Sequence, residues 1–178
     1  MKLKSMIAVM VFCPALLAPV VCFADEPKPA NPLDAVPDKM NFDIPYGAPI
    51  SLDRAESAIA AAVAEAKKRG WKLNVAVVDS GGNLVAFQRM DGAQLASIQI
   101  SEHKARAAAT FRRETKVFEN AIQVNNMPYV ATLDGVITSR GGIPLVEDGK
   151  IIGSIGCSGG SGSQDEVVCK AGAATINK

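Results

Sequence analysis

The stretch 141-GGIPLVEDGKIIGSIGCS-158 decides the fold class. Asp148-Gly149 stands between two apolar runs, Ile143/Leu145/Val146 and Ile151/Ile152/Ile155. Asp-Gly in that setting is the strongest short-range signal of a β-hairpin, since a two-residue primed turn needs positive φ at both positions. A second hairpin lies upstream in 72-KLNVAVVDSGGNLVAFQRM-90, where Val75, Val77 and Val78 precede the turn residues Asp79 to Asn83, and Leu84, Val85 and Phe87 return. Around these, periodicity places four helices. The first is 52-LDRAESAIAAAVAEAKKRG-70, with Ser51 as N-cap, Leu52, Ala55, Ile59, Val63 and Ala66 as the buried stripe, and Gly70 as the stop. The others are expected over Leu95–Phe111, over Lys116–Gln123 with Thr115 as cap, and over Gln164–Ile176. Helices and hairpins in this order predict an α+β fold with a mostly antiparallel sheet flanked by helices.

The hairpin runs into a glycine-rich segment, 159-GGSGSQDE-166, of the kind that cradles phosphates elsewhere. A phosphate loop needs a lysine after its glycines, and none is present. Asp165 and Glu166 fall in the first helical turn instead, where they satisfy the positive dipole end and repel an anion. A dinucleotide site would also require a parallel β-α-β unit, which a hairpin does not supply. The segment is read as a turn and a helix cap, with a pocket-lining role for its backbone N–H groups left open.

The chain has 178 residues. Residues 1–24 carry Lys2 and Lys4, an apolar run from Met6 to Phe23, and Ala24 before 25-DEPKP-29, the layout of a cleaved secretory signal peptide. Pro14 and Pro19 argue against a spanning helix, and Val21 before Cys22 argues against a lipoprotein anchor. The expected location is periplasmic or secreted. Without the signal, 17 basic and 18 acidic side chains remain, a net charge of −1, which offers no electrostatic footprint for nucleic acid. Six prolines between 25 and 49 predict an extended linker or surface-hugging arm over 25–50, and the domain proper over 51–178. Cys157 and Cys169 survive signal removal in a compartment where disulfides persist, and both a bridge and two buried thiols remain open.

Chemistry concentrates on 95-LASIQISEHKARAAATFRR-113, which holds His103, the only histidine. Gln99, His103, Arg106, Thr110 and Arg113 fall on one helical stripe, and Ile100, Ala107 and Phe111 on the expected core face. An imidazole beside two guanidinium groups suits a metal-centred ligand bearing carboxylates, and haem has that character: His103 as axial ligand, Arg106 and Arg113 for propionates. The alternative is a solvated polar face. A zinc centre lacks ligands of the right spacing, 156-GCSGG-160 is not read as a nucleophile elbow for His103, and Met90 reads as a gap-filler rather than a haem ligand.

Four stretches, 74-NVAVVDSGGNLVAFQRMDGA-93, 97-SIQISEHKARAAATF-111, 141-GGIPLVEDGKIIGSIGCSGG-160 and 164-QDEVVCKAG-172, together resemble the GlcG/HbpS-like haem-binding family, also called the haem-degrading domain family. The resemblance runs from about Ser51 to Ile176. It implies a profilin-like fold, homo-oligomers, and haem binding, in some members with oxidant-dependent degradation and in others with a protein partner. It places Lys104 and Thr110 at the family's polar positions, with Thr110 in the haem-contacting region. Gly141, Gly142 and Pro144 match its GGxP element, and Gly159, Gly160, Gln164 and Asp165 its SGG…QD element. The leading expectation is an exported haem-binding protein using His103, Lys104, Arg106, Thr110 and Arg113. A non-enzymatic accessory or sensor-partner protein binding a small carboxylate is the competing reading. An enzyme acting on a small organic acid through Arg113, Arg140 and the glycine loop is a third, with no evident base.

Overall fold

The computed structural model describes Asn31 and residues 34–177. The expected signal peptide therefore lies outside the described residues, as does much of the proline-rich segment. The chain divides into two units, Met1–Lys39 and Met40–Lys178. In the first, the Asp34 amide donates to the Asn31 carbonyl at 2.9 Å. The second unit holds the sheet and its helices.

Its elements are α1 (Leu52–Lys68), β1 (Asn74–Asp79), β2 (Leu84–Arg89), α2 (Ser97–Thr110), α3 (Lys116–Gln123), a 3₁₀ turn over Pro128–Thr132, β3 (Gly142–Glu147), β4 (Lys150–Ser158) and α4 (Gly162–Ala173). The four strands form one sheet in the order β2-β1-β4-β3, with every neighbour antiparallel. This is the expected α+β architecture. Asp148 and Gly149 adopt φ 48° and 70°, the primed-turn geometry their sequence demands.

Alternation along β1 sorts the two faces. Val75 and Val77 join the main core with Ile59, Val63, Leu145, Ile155 and Val168, under α1 and α4. Ala76 and Val78 face the opposite way, onto Ala105 and Ala109 of α2. Within α1, Ala55, Ile59, Val63 and Ala66 are buried as expected, but Leu52 is half exposed because it opens the first turn. Gly70 ends α1 with φ 71°. Its amide reaches Lys67 and the Trp71 amide reaches Ala66, the paired bonds of a Schellman stop.

The face by which α2 meets the sheet corrects the hydropathy reading. Ile100 and Phe111 are only partly buried; Ala107 is buried as expected, and the other buried positions are Ser97, Ser101, Lys104, Ala105, Ala108 and Ala109. Glycines in the strands explain the preference for small side chains. A Cβ at Gly156 would collide with the Ser101 carbonyl, and one at Gly142 with that of Lys104. The helix axis lies so near the sheet that bulk on either surface would drive them apart. Ser154 adds a hydroxyl bond to the Ala105 carbonyl, and Ser158 one to Ser97 at 3.0 Å.

Cys157 on β4 and Cys169 on α4 form a disulfide, with Cα atoms 5.6 Å apart. β4 turns Cys157 to the same face as Ile155, and the buried side of α4 presents Cys169 to it. The bridge ties strand to helix across the glycine loop. From Met40 the proline-rich segment belongs to this unit, and its end runs parallel to the start of β4. The Gly47 amide donates to Ile151, the Ile50 amide to Ile152, and Ile151 donates to Pro45.

Candidate functional site

His103 and Arg106 meet in one cleft of about 500 Å³, whose other walls are Gln99, Glu102, Asp134 and Gly135. Nε2 of His103 lies 3.2 Å from the Gly135 carbonyl. A carbonyl only accepts, so Nε2 carries the proton and a neutral ring holds its lone pair on Nδ1. Metal-binding histidines are typically fixed in this way, the second nitrogen donating to a backbone carbonyl. Arg106 donates Nε to the Gly82 carbonyl at 3.3 Å and makes no ion pair among the described residues, so its terminal N–H groups remain available to a carboxylate.

Thr110 lies one turn beyond, on the same outer face. Its methyl would meet a Cβ at Gly82 at 3.3 Å, its hydroxyl donates back to the Arg106 carbonyl at 2.9 Å, and its own carbonyl accepts from the Tyr46 hydroxyl at 2.8 Å. It borders the β1–β2 turn rather than the His103 cleft. That turn is rigidly built. Asp79 Oδ1 accepts from the amides of Gly81 and Asn83, bonds that hold its carboxyl below the usual range although burial opposes them.

Two expected contacts lie elsewhere. Arg113 leaves the stripe because α2 stops at Thr110. Arg112 turns into the left-handed region at φ 56°, the Arg112 amide bonds to Ala109, and that of Arg113 to Ala108, a Schellman stop with arginine where glycine is usual. The Arg113 guanidinium consequently stacks on Phe42, 3.5 Å from the ring centroid. Lys104 points inward. Its side chain is 1% exposed and its Nζ lies 2.8 Å from Asp165 Oδ2, so it serves the interior and not a ligand face.

This pair accounts for the glycine motifs. Asp165 also accepts from the Gly160 amide at 3.0 Å, and a Cβ at Gly141 would press on Asp165 at 2.8 Å and on the Lys104 ammonium at 3.3 Å. Burial pushes the Asp165 carboxyl up, against the pull of Lys104 and the loop amides. Gly142 exchanges backbone and hydroxyl bonds with Thr115, whose side chain thereby serves β3 rather than capping α3. Ser161 and Gln164 form a reciprocal capping box on α4. The loop is thus closed around a buried ion pair, and Asp165, expected at the helix dipole, serves that pair. Beside it, Arg140 binds Glu119 at 2.6 Å and Glu166 at 3.3 Å, and Lys116 and Lys170 also reach Glu166. Arg140 is therefore committed to carboxylates of its own chain.

The residues that sequence reasoning missed are Phe42, Arg112, Asp134 and Gly135. Two aromatic side chains in 42-FDIPY-46 were the available signal that the arm docks, since both would otherwise be left in water.

The matches to known proteins agree with this architecture. Residues 50–174 match the family model described as "Haem degrading protein HbpS-like", and the chain belongs to that family. Protein GlcG of Escherichia coli K12 is 43% identical over 109 residues, 61% of this chain and 81% of GlcG. The crystal structure of a Streptomyces reticuli HbpS double mutant superposes with a TM-score of 0.68 at 30% identity, covering 81% of this chain and 98% of HbpS. A PduOC:heme complex superposes with a TM-score of 0.65 at 29% identity, covering 72% and 96%.

Haem, which the family description implies, fits the cleft in donor chemistry. One imidazole with a bare nitrogen and one unpaired guanidinium stand together. It fits less well in its walls, because Glu102 and Asp134 supply negative charge and no large apolar side chain covers a ring face.

Proposed function

We propose that this protein is exported and binds haem or a related tetrapyrrole on the outer face of α2. The observation that carries the reading is the His103–Arg106 cleft with Nε2 pinned to Gly135. His103 would offer Nδ1 to the iron, Arg106 would pair with a propionate, and Thr110 would border the ligand on the side of the β1–β2 turn. Bound iron would supply redox chemistry that no side chain here provides, so haem degradation is a secondary activity requiring an external oxidant such as peroxide. The heme complex of a relative with the same fold supports the ligand class. Self-association, which the resemblance to the family implies, is part of the proposal.

A haem titration of the protein beside His103→Ala tests this. Saturable binding with a Soret shift that the substitution abolishes is expected. Binding unchanged in the variant moves the axial ligand off His103, and no saturable binding in the low-micromolar range overturns the haem reading.

A further inference from the structure

Arg113, displaced from the haem stripe, stands at the mouth of a second cavity. This pocket has a volume of about 340 Å³ and is walled by Phe42, Phe118, Met127, Tyr129, Val130 and Leu133. Arg113 is its sole charged lining residue; the other polar side chains are those of Asn41, Asn125 and Tyr129. The guanidinium donates Nε to the Phe111 carbonyl at 2.9 Å, stacks on Phe42, and lies 5.6 Å from the Phe118 centroid. It makes no ion pair among the described residues, in contrast to Arg112 beside it, which pairs with Asp43 at 3.7 Å. Burial, and then the charge of Arg112, hold the Arg113 guanidinium below its ordinary value, the mark of a cation without a counter-charge. With Nε engaged, the two terminal nitrogens form a free fork, which matches the two oxygens of a carboxylate.

We infer that this cavity is a second ligand site, for a monocarboxylate with a compact apolar body: the carboxylate on the terminal nitrogens of Arg113, the aromatic or short aliphatic part among Phe118, Met127, Val130 and Leu133. A single cation in an apolar setting sets the charge at one, since a dianion would bury a negative charge without a partner. The volume lies at the small end of ordinary ligand pockets. A neighbouring cleft that Arg113 also lines is the poorer candidate, because Glu114 adds a negative charge to its wall and its other cations, Arg112 and Lys116, are already paired with Asp43 and Glu166. Phe42 completes the pocket from the arm. Its backbone sits at φ 64°, a left-handed conformation that a non-glycine residue adopts at a cost, and such residues gather at ligand clamps.

Calorimetric titration with 3-phenylpropionate, octanoate, their primary amides and glycolate tests the site. Both acids should bind saturably, with the amides and glycolate weaker by roughly tenfold or more, since the amides lose the charge-assisted fork and glycolate lacks the body. Arg113→Gln should weaken the acids to the level of the amides. Val117→Phe, which fills the pocket from a partly exposed position, should abolish binding with the guanidinium intact and an unchanged melting temperature. Neither substitution should alter the haem titration, so this site and the His103 cleft fail or stand separately. Equal binding of acid and amide, unchanged affinity in both variants, or no binding of any acid overturns the inference. Should Arg113→Gln fail to fold, Val117→Phe with the acid–amide comparison decides it.

Discussion

Replacing Lys104 by methionine keeps most of the side-chain stem and removes one charge from the inside of the protein. The Lys104 and Asp165 side chains are 1% and 3% exposed, with 2.8 Å between Nζ and Oδ2. Neither can turn to water when its partner is lost. Removing one member of a buried pair typically costs about 3–5 kcal/mol, because the survivor is left charged and desolvated. Asp165 has a partial escape. Burial already pushes its carboxyl up, and without Lys104 that rise must grow. A carboxyl whose folded value lies above its unfolded one adds stability below the unfolded value, near 3.8, and loses it as pH rises through the folded value. The deficit of Lys104→Met should therefore be largest at neutral pH and shrink toward pH 5, as Asp165 takes up a proton. Urea melts at both pH values measure it. Lys104→Met/Asp165→Asn should recover more than half of the neutral-pH loss, because the amide oxygen still accepts from Gly160 and no charge remains. A neutral-pH loss below about 1 kcal/mol, the scale of an exposed pair, would refute the reasoning, and so would a loss that does not vary with pH.

Reducing the Cys157–Cys169 bridge, or replacing both residues by serine, should cost about 3 kcal/mol, the chain-entropy value for a loop of this size, read as a lower urea midpoint in reductant. The wild-type protein should also lose stability as pH falls below about 4.5, the unfolded value of glutamate: Arg140 bonding holds Glu119 low, and bonds to Lys170 and Lys116 hold Glu166 low against burial. Depressed carboxyls stabilise above that pH and lose their contribution through their folded values, so Glu119→Gln should flatten the acid limb of a pH series of melts.

The hairpins were legible because Asp148-Gly149 leaves the chain one cheap turn, and α1 because its stripe and its glycine stop agree. The interior face of α2 was not. Hydropathy ranks Ile100 and Phe111 above Ser101 and Lys104, whereas the sheet admits only small side chains where Gly142 and Gly156 approach. A lysine on that face becomes interpretable only once Asp165, 61 positions later, lies against it. The end of α2 was hidden for a related reason: the left-handed residue is Arg112, and no local rule marks an arginine as a helix stop. That one conformational choice separates Arg113 from Gln99, His103 and Arg106, the three stripe residues that do share a cleft. The pinning of His103 depends on Gly135, which a single-helix reading cannot bring near.

The stretch from Pro45 to Ile50 has a practical consequence for where the protein can be cut. The family match begins at residue 50, yet the compact unit begins at Met40. A fragment started at the family boundary would leave the amide and carbonyl of Ile151 without partners and strip the Tyr46 hydroxyl from the end of α2. It would also remove Phe42 from above Arg113. Truncation points, tags and protease sites therefore belong before Met40, where they leave both the sheet and the arm intact.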